Sequence, residues 1–396
     1  MPCAADAHPD RDEEAATRED DTLNHVPCVV AFDSFKGSLR AAAASEAFAR
    51  GWRSVRPGAD VVLRPMADGG EGTLEAFAAA TPDAVRMRAT VRGPHGRDVA
   101  AHWLLLPGAD DAGDTGVVEL ASTSGIELLG DDRLPWDADT FGFGQAIAAA
   151  LDHGVERLLL GIGSSASTDA GAGMLAALGA RILDGTGAPV RPGARGLADA
   201  ASVDLSGLRR PPAGGAVVLS DVTSPLLGAD GAAFVFGPQK GISSGELADV
   251  DAALARFAAL IPGDPSAPGA GAAGGAGFAL AAWGAQLRPG AQAVAQAIGL
   301  EAAIARADLV VTGEGAYDGS SAAGKAPAFV GSQAADAGAP VALVAGRIDP
   351  GADLTGFAAA LSLTDLAGSA AAALADPERW LAEAGALLAR TLTDVR

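Results

Sequence analysis

An α/β fold in two domains follows from three observations on the 396-residue chain. Both ends repeat a strand-loop-helix grammar, which builds parallel sheets with loops at the strands' carboxyl ends. The middle breaks that grammar with three strand-like runs in succession. Acidic, glycine-rich turns directly follow several of the strand runs. Together these predict a parallel-sheet domain assembled from both chain ends, residues 25–66 and 285–396, with a second, mixed α/β domain, 67–284, inserted in it.

The elements are read in order. Residues 1–24 hold eight acids and almost no large apolar side chain, so they cannot offset the entropy of ordering and are expected to be a disordered acidic tail. Val26–Phe32 is a short β-branched run ended by Asp33. The spacing of Leu39, Ala43, Ala47 and Phe48 predicts a helix over 39–54, with Ser38 as its cap. Val61–Met66 is a second strand and 71–80 a second helix. Segments 84–91, 98–106 and 115–121 have no helix-length pattern between them, and Gly93-Pro94-His95-Gly96 marks a hairpin turn. Helices over 140–153 and 170–179 bracket a strand, 155–162. A Pro/Gly-rich break at 262–275 precedes strand 307–312, helix 326–337, strand 340–345 and a closing helix, 376–392.

Composition excludes several functions. Forty-nine acids against 28 basic residues give a net charge of −21, which repels phosphodiester backbones and argues against nucleic-acid binding. No apolar run approaches the roughly 18 residues of a membrane span, and no basic segment followed by an apolar core marks a secretory signal. A cytoplasmic protein is expected. Cys3 and Cys28 cannot form a disulfide framework or a zinc site. The five histidines show no metal-ligand spacing, and their structural reading prevails. No G-x-S-x-G elbow is present.

The lysines are the sharpest compositional signal. There are only three, Lys36, Lys240 and Lys325, against 25 arginines, and each adjoins a glycine. A flexible ammonium beside bare backbone suits capture of phosphate or carboxylate. Asp33-Ser34-Phe35-Lys36-Gly37-Ser38 lies between a strand and a helix, where parallel sheets bind ligands. Asp68-Gly69-Gly70-Glu71-Gly72-Thr73 occupies the equivalent place after the second strand, with acids suited to a hydroxyl or a metal ion. Gly161–Asp169 follows the strand Leu158–Leu160. Its start matches G-x-G-x-x-A, with Asp184 near the distance of a ribose-binding acid, so an NAD-dependent oxidoreductase using the Gly161–Ala166 loop is an alternative. Its continuation through Ser164, Ser165, Ser167, Thr168 and Asp169 suits phosphates with a metal better. Gly319–Lys325 resembles a P-loop, but Ala326 stands where the magnesium-binding hydroxyl belongs, so a Walker A motif is rejected while Lys325 stays a phosphate contact. Asp221, Glu314 and Asp318, at strand ends or glycine turns, are the metal candidates.

Taken together these loops are similar to the type I glycerate kinases. Ala31–Ser38 resembles that family's opening motif and Pro65–Thr73 its second. The similarity continues in order through Gly161–Leu183, Asp221–Gly228, Phe236–Gly241, Thr312–Gly315 and Gly324-Lys325. The family pattern has Gly at Ser164, Asn at Thr168 and at Ser224, Arg at Ala316 and Gln at Ser320. The resemblance implies a flavodoxin-like domain made of both chain ends. It also implies transfer of the ATP γ-phosphoryl to D-glycerate with Mg²⁺, giving 2-phospho-D-glycerate, or to another small hydroxy acid. Within that reading Asp169 is the favoured base, with Asp33 and Asp68 as competitors and Lys36 on the acceptor. Lys240, Arg288, Gly69, Gly70 and Glu71 are assigned to substrate, and Gly163, Ser164, Ser165, Thr168 and Lys325 to the nucleotide. The motifs carry no information on oligomeric state.

Overall fold

The computed structural model describes residues 27–35, 37–108, 113–318 and 326–391. The acidic tail, Lys36 and the 319–325 segment with Ser320 and Lys325 lie outside them. Fifteen strands run β1 Cys28–Phe32, β2 Val61–Leu63, β3 Val85–Arg92, β4 Asp98–Leu106, β5 Thr115–Glu119, β6 Arg157–Gly161, β7 Arg181–Asp184, β8 Ala200–Asp204, β9 Ala216–Leu219, β10 Gln286–Arg288, β11 Leu309–Gly313, β12 Ala316–Tyr317, β13 Val341–Ala345, β14 Arg347–Ile348 and β15 Ala359–Ser362. The chain divides into two compact units, one from its two ends, through Pro65 and from Gly299, the other Met66–Ile298.

The split unit contains a five-stranded sheet ordered β15-β13-β11-β1-β2. Every neighbouring pair is parallel, and Cys28–Phe32 pairs residue for residue with Leu309–Gly313. Strands β1, β11 and β13 are buried along their whole length, because helices cover both faces and alternation is lost. The core joins Val30, Phe32, Val311 and Val344 to Phe48 and Trp52 of the helix Ala41–Val55 and to Leu381 and Leu388 of the helix Pro377–Thr391. Cys28 is fully buried, and burial pushes its thiol far above the usual range, so it is no nucleophile. Ser38 does not cap the first helix. That helix begins at Ala41 after an extended Arg40, without a side-chain cap, while the Ser38 hydroxyl donates to the Phe35 carbonyl. The turn has first claim on the hydroxyl, since the two groups are three residues apart.

The second unit contains a six-stranded sheet ordered β10-β9-β6-β5-β4-β3. Four strands from β10 to β5 are parallel, and β4 and β3 add an antiparallel hairpin turned at 93–96. Strands β7 and β8 form their own antiparallel pair. The sequence pattern assigns segment 285–298 to the split unit, but β10 runs parallel to β9, with Arg288 beside Leu219, and the segment belongs to the inserted one. Three residues carry too little pattern to name their sheet, and register decides it.

Two helices of the split unit touch through glycine. A Cβ on Gly51 would lie 1.8 Å from the Ala382 carbonyl oxygen, and one on Gly385 2.2 Å from that of Phe48. An alanine at Gly51 gains about 1 kcal/mol of helix propensity, yet its methyl meets backbone that cannot rotate aside. Gly51→Ala is therefore expected to destabilise the protein by about 1–3 kcal/mol, read as a lower urea midpoint.

Candidate active site

In the inserted unit, three segments converge at the carboxyl ends of β6 and β9. The turn after β2 enters through Gly69, whose φ is +92° and whose Cβ would lie 2.1 Å from the Leu219 carbonyl oxygen. The Gly163 amide donates to the Gly69 carbonyl at 2.9 Å, and a Cβ on Gly163 would lie 2.4 Å from the Gly70 Cα. A Cβ on Gly290 would lie 2.1 Å from the Asp68 carbonyl oxygen. No other residue type fits at these positions, so bare backbone forms the floor of the site. Beyond it, the Thr73 amide that opens the helix Thr73–Ala80 donates to the buried Glu119 carboxylate at the end of β5.

Two acids stand on this floor. Asp68 is exposed and accepts the Gly70 amide on Oδ1 at 2.9 Å. Asp221 accepts the Gly290 amide at 2.8 Å. Burial raises the Asp221 carboxyl above the usual range, the Gly290 amide opposes this, and the charge of Asp68 adds to it. Two carboxylates close enough to feel each other suit a divalent cation. Mg²⁺ commonly takes one or two carboxylates and completes its shell with water and phosphate, so this pair fits it. No group of three or more metal-ligating side chains occurs among the described residues. Glu71 and Arg288 are exposed at the edges of the same region, the Arg288 guanidinium reaching Gln286 Oε1.

The loop after β6 is held from three sides. Ile126 N–H donates to the Ser164 carbonyl and Ala166 N–H to the Ser124 carbonyl. The Ser165 and Ser167 side is held by Lys240, whose Nζ donates to Ser165 Oγ at 2.7 Å and to the Ser167 carbonyl at 2.5 Å. Lys240 is only 3% exposed, so it organises the loop from within. Burial pushes its ammonium down to about 7, against the pull of the Asp169 charge. Ser167 Oγ and Thr168 Oγ1 are buried without a hydrogen-bond partner among the described residues. Such hydroxyls fit a ligand oxygen, because leaving them unmet is costly. Ser164 is exposed with φ +59°, a conformation that glycine adopts freely.

Asp169, the favoured base from sequence, has a different task. It is fully buried. Its Oδ2 accepts Thr140 N, Thr140 Oγ1 and Gly173 N, and its Oδ1 accepts Gly171 N. Four donors and no exposure leave nothing to offer a substrate hydroxyl. The carboxylate instead ties the loop to the starts of the helices Phe141–His153 and Ala172–Ala177. Sequence reading missed Asp139 and Thr140 beside it, although an Asp-Thr pair before an apolar helical run is a capping signal.

The oxidoreductase alternative fails on topology. After the loop the chain enters β7, which pairs only with antiparallel β8 among the described residues, whereas a dinucleotide fold needs a parallel neighbour. Asp184 closes its own turn, accepting from Thr186 N, Thr186 Oγ1 and Ala188 N.

In the split unit, Asp33 and Glu314 follow paired residues Phe32 and Gly313. They flank the place where the order reverses between β1 and β11, where open parallel sheets bind ligands. Asp33 N donates to the Gly313 carbonyl and Asp33 Oδ1 accepts Ser34 N. Glu314 is buried, and Asp318 is half-buried just after β12.

The family assignment follows from comparison with known proteins. The pattern of the glycerate kinase family matches residues 28–393. The chain belongs to that family. It is 43% identical over 328 residues to the glycerate kinase of Bacillus subtilis (strain 168), covering 81% of this chain and 85% of that one. It is 39% identical over 334 residues to the glycerate 2-kinase of Escherichia coli (strain K12), with the same coverage of 81% and 85%. A crystal structure of a Salmonella typhimurium LT2 protein described as a glycerate kinase 2 candidate aligns with TM-score 0.80 and 39% identity, over 93% of this chain and 98% of that one. Glycine at Ser164 in the family's pattern now has its reason in the left-handed backbone there.

Two outcomes are expected here. Ser164→Gly relieves a left-handed serine and raises stability by about 1 kcal/mol, measured by chemical denaturation. For Lys240 the unfolded chain keeps its proton up to the usual lysine pKa, while the folded protein loses it near 7. Between those values the unfolded state binds more protons, so stability rises with pH, by up to about 1.4 kcal/mol per unit. Lys240→Met should flatten that rise between neutral pH and pH ~10; an unchanged slope would show the ammonium to be solvated.

Proposed function

We propose that this chain transfers the γ-phosphoryl group of ATP to the 2-hydroxyl of D-glycerate in the presence of Mg²⁺. The observation that carries this reading is the bare-backbone floor of Gly69, Gly163 and Gly290, with Asp68 and Asp221 above it and the orphaned hydroxyls of Ser167 and Thr168 in the adjoining loop. Phosphoryl transfer asks mainly for positioning and charge neutralisation, and these features supply both. The choice of the 2-hydroxyl rests on the name of the Escherichia coli relative. The strand order of the split unit supports a flavodoxin-like assignment, and use of ATP suits a cytoplasmic location. No helix among the described residues is long and apolar enough to cross a membrane.

Roles follow from the polar groups that the protein leaves unmet. The unpartnered hydroxyls of Ser167 and Thr168, with Ser165 beside them, are assigned to phosphate oxygens, in a loop that Lys240 holds from behind. The Gly163 amide is taken by Gly69, so Gly163 contributes close approach and not a donor. Asp221 would hold Mg²⁺, which when bound neutralises phosphate charge. Asp68 keeps one carboxylate oxygen beyond the Gly70 amide to orient the attacking hydroxyl and accept its proton. Arg288 and Glu71 serve the acceptor's carboxylate and hydroxyls, and Lys36 and Lys325 are assigned to acceptor and phosphate from sequence alone. In the split unit, Asp33, Glu314 and Asp318 keep the base and metal roles assigned to them from sequence.

The test is release of ADP on adding D-glycerate, with NMR identification of the phosphorylated product against a panel of hydroxy acids, since Ala316 replaces an arginine of the family pattern. Asp68→Asn is expected to lower turnover by roughly two to four orders of magnitude while leaving the melting temperature in place. Asp169→Asn is expected to act chiefly on stability. If Asp68→Asn turns over near the wild-type rate, the base is elsewhere and Asp33→Asn is tested next.

A further inference from the structure

The inserted unit holds a cavity of about 250 Å³ that none of these roles uses. Its inner wall is the small-residue face of the helix Ala172–Ala177, at Gly173 and Ala176, and its outer wall is apolar, from Ile182 on β7 to Val190 beyond the hairpin turn. Four charged residues interrupt this lining, Arg92, Arg181, Arg191 and Asp139. An apolar slot with a few charged groups is the usual make-up of a small-molecule site. Three guanidiniums against one carboxylate, in a protein of net charge −21, select an anionic ligand.

The details narrow the ligand further. The Arg92 guanidinium lies 4.0 Å from the centre of the Phe141 ring and is held there by Asp139, which makes a rigid, flat platform. Among the described residues, Arg181 and Arg191 form ion pairs with exposed Asp204 and Asp199, at 3.9 and 3.2 Å. Such surface pairs are worth little, so both guanidiniums are open to a stronger anion. The volume lies just below the 300–1,000 Å³ of typical ligand pockets, enough for a flat ring system and not for a triphosphate as well. The wall residue Gly173 donates its amide to Asp169, the residue that follows Thr168, so one short segment carries both the cavity wall and the end of the phosphate loop.

We propose that this cavity receives the base of the nucleoside triphosphate, with Arg181 and Arg191 at its mouth drawing the phosphates toward the loop. The inference rests on the phosphotransferase reading. Calorimetric titration with adenosine, ADP and inorganic tripolyphosphate tests it on the wild-type protein and on two variants. Ala176→Phe, which fills the slot, should weaken adenosine and ADP at least about tenfold and leave tripolyphosphate unchanged. Arg191→Glu, an exposed change that spares the fold, should weaken ADP and leave adenosine unchanged. If both variants are folded by circular dichroism and bind ADP as the wild type does, while the wild type releases ADP on D-glycerate, the cavity assignment is overturned and the phosphotransferase reading stands. Adenosine binding abolished by Ala176→Phe, in a protein that releases no ADP with any hydroxy acid, leaves the cavity assignment standing and overturns that reading.

Discussion

The buried carboxylate of Asp169 is the interaction on which the inserted unit's site depends. A charge with no exposure survives only if its lone pairs are met, and four donors meet them. Those donors come from Thr140 and from Gly171 and Gly173 at the start of the helix Ala172–Ala177, so one side chain sets the loop after β6, the start of one helix and the start of another. The opposite charge of Lys240 approaches from inside and holds the Ser165–Ser167 stretch. Ala170, in left-handed backbone at φ +51°, and Asp139, whose carboxyl is raised to about 6 by burial and by the charge of Asp169, surround the same group. The strain and the raised carboxyl are both tolerated because the surrounding structure over-determines them.

Around that anchor the site is made by omission of side chains. Gly69, Gly163 and Gly290 let three chain segments touch backbone to backbone, and the space so created is lined by amides, carbonyls and hydroxyls of fixed orientation. Preorganised dipoles of this kind need no rearrangement when charge moves during phosphoryl transfer. The acids then sit where the floor ends. Asp68 and Asp221 each spend an oxygen on a glycine amide, which fixes their direction and leaves the remaining oxygens for a cation or a hydroxyl.

Much of this was legible along the chain. Strand-loop-helix grammar announced the parallel sheet of the split unit, and the pairing of Cys28–Phe32 with Leu309–Gly313 joins the two ends of the chain, as in the bond from Thr312 Oγ1 to the Ala31 carbonyl that spans 281 positions. The turn at 93–96, the helix expected over 140–153 and observed as Phe141–His153, and the loops Asp68–Thr73 and Gly161–Asp169 are legible from glycine, acid and apolar spacing alone. The sequence pattern singles out Asp169 as a base and Lys240 as a substrate contact, and the structure buries both within the loop they hold. Both are polar residues in a glycine-rich segment, a pattern shared by groups that face a ligand and groups that hold a loop from behind. Segment 285–298 went to the wrong unit for a related reason, since a three-residue strand does not say which sheet will accept it.

By itself the sequence determined composition, element type and the chemistry of its loops, because these follow from local sterics, periodicity and the donor and acceptor inventory of neighbouring residues. It could place Asp68 and Asp221 in two separate turns and give one to the hydroxyl and the other to a metal. Only the tertiary structure decided that they share one floor, that Asp169 is sealed within it and Lys240 behind it, and that Arg92 lies over Phe141 beside an apolar slot. Burial and the meeting of segments remote in the chain depend on packing, and packing decides which of two identical carboxylates is met by protein donors and which is left facing solvent.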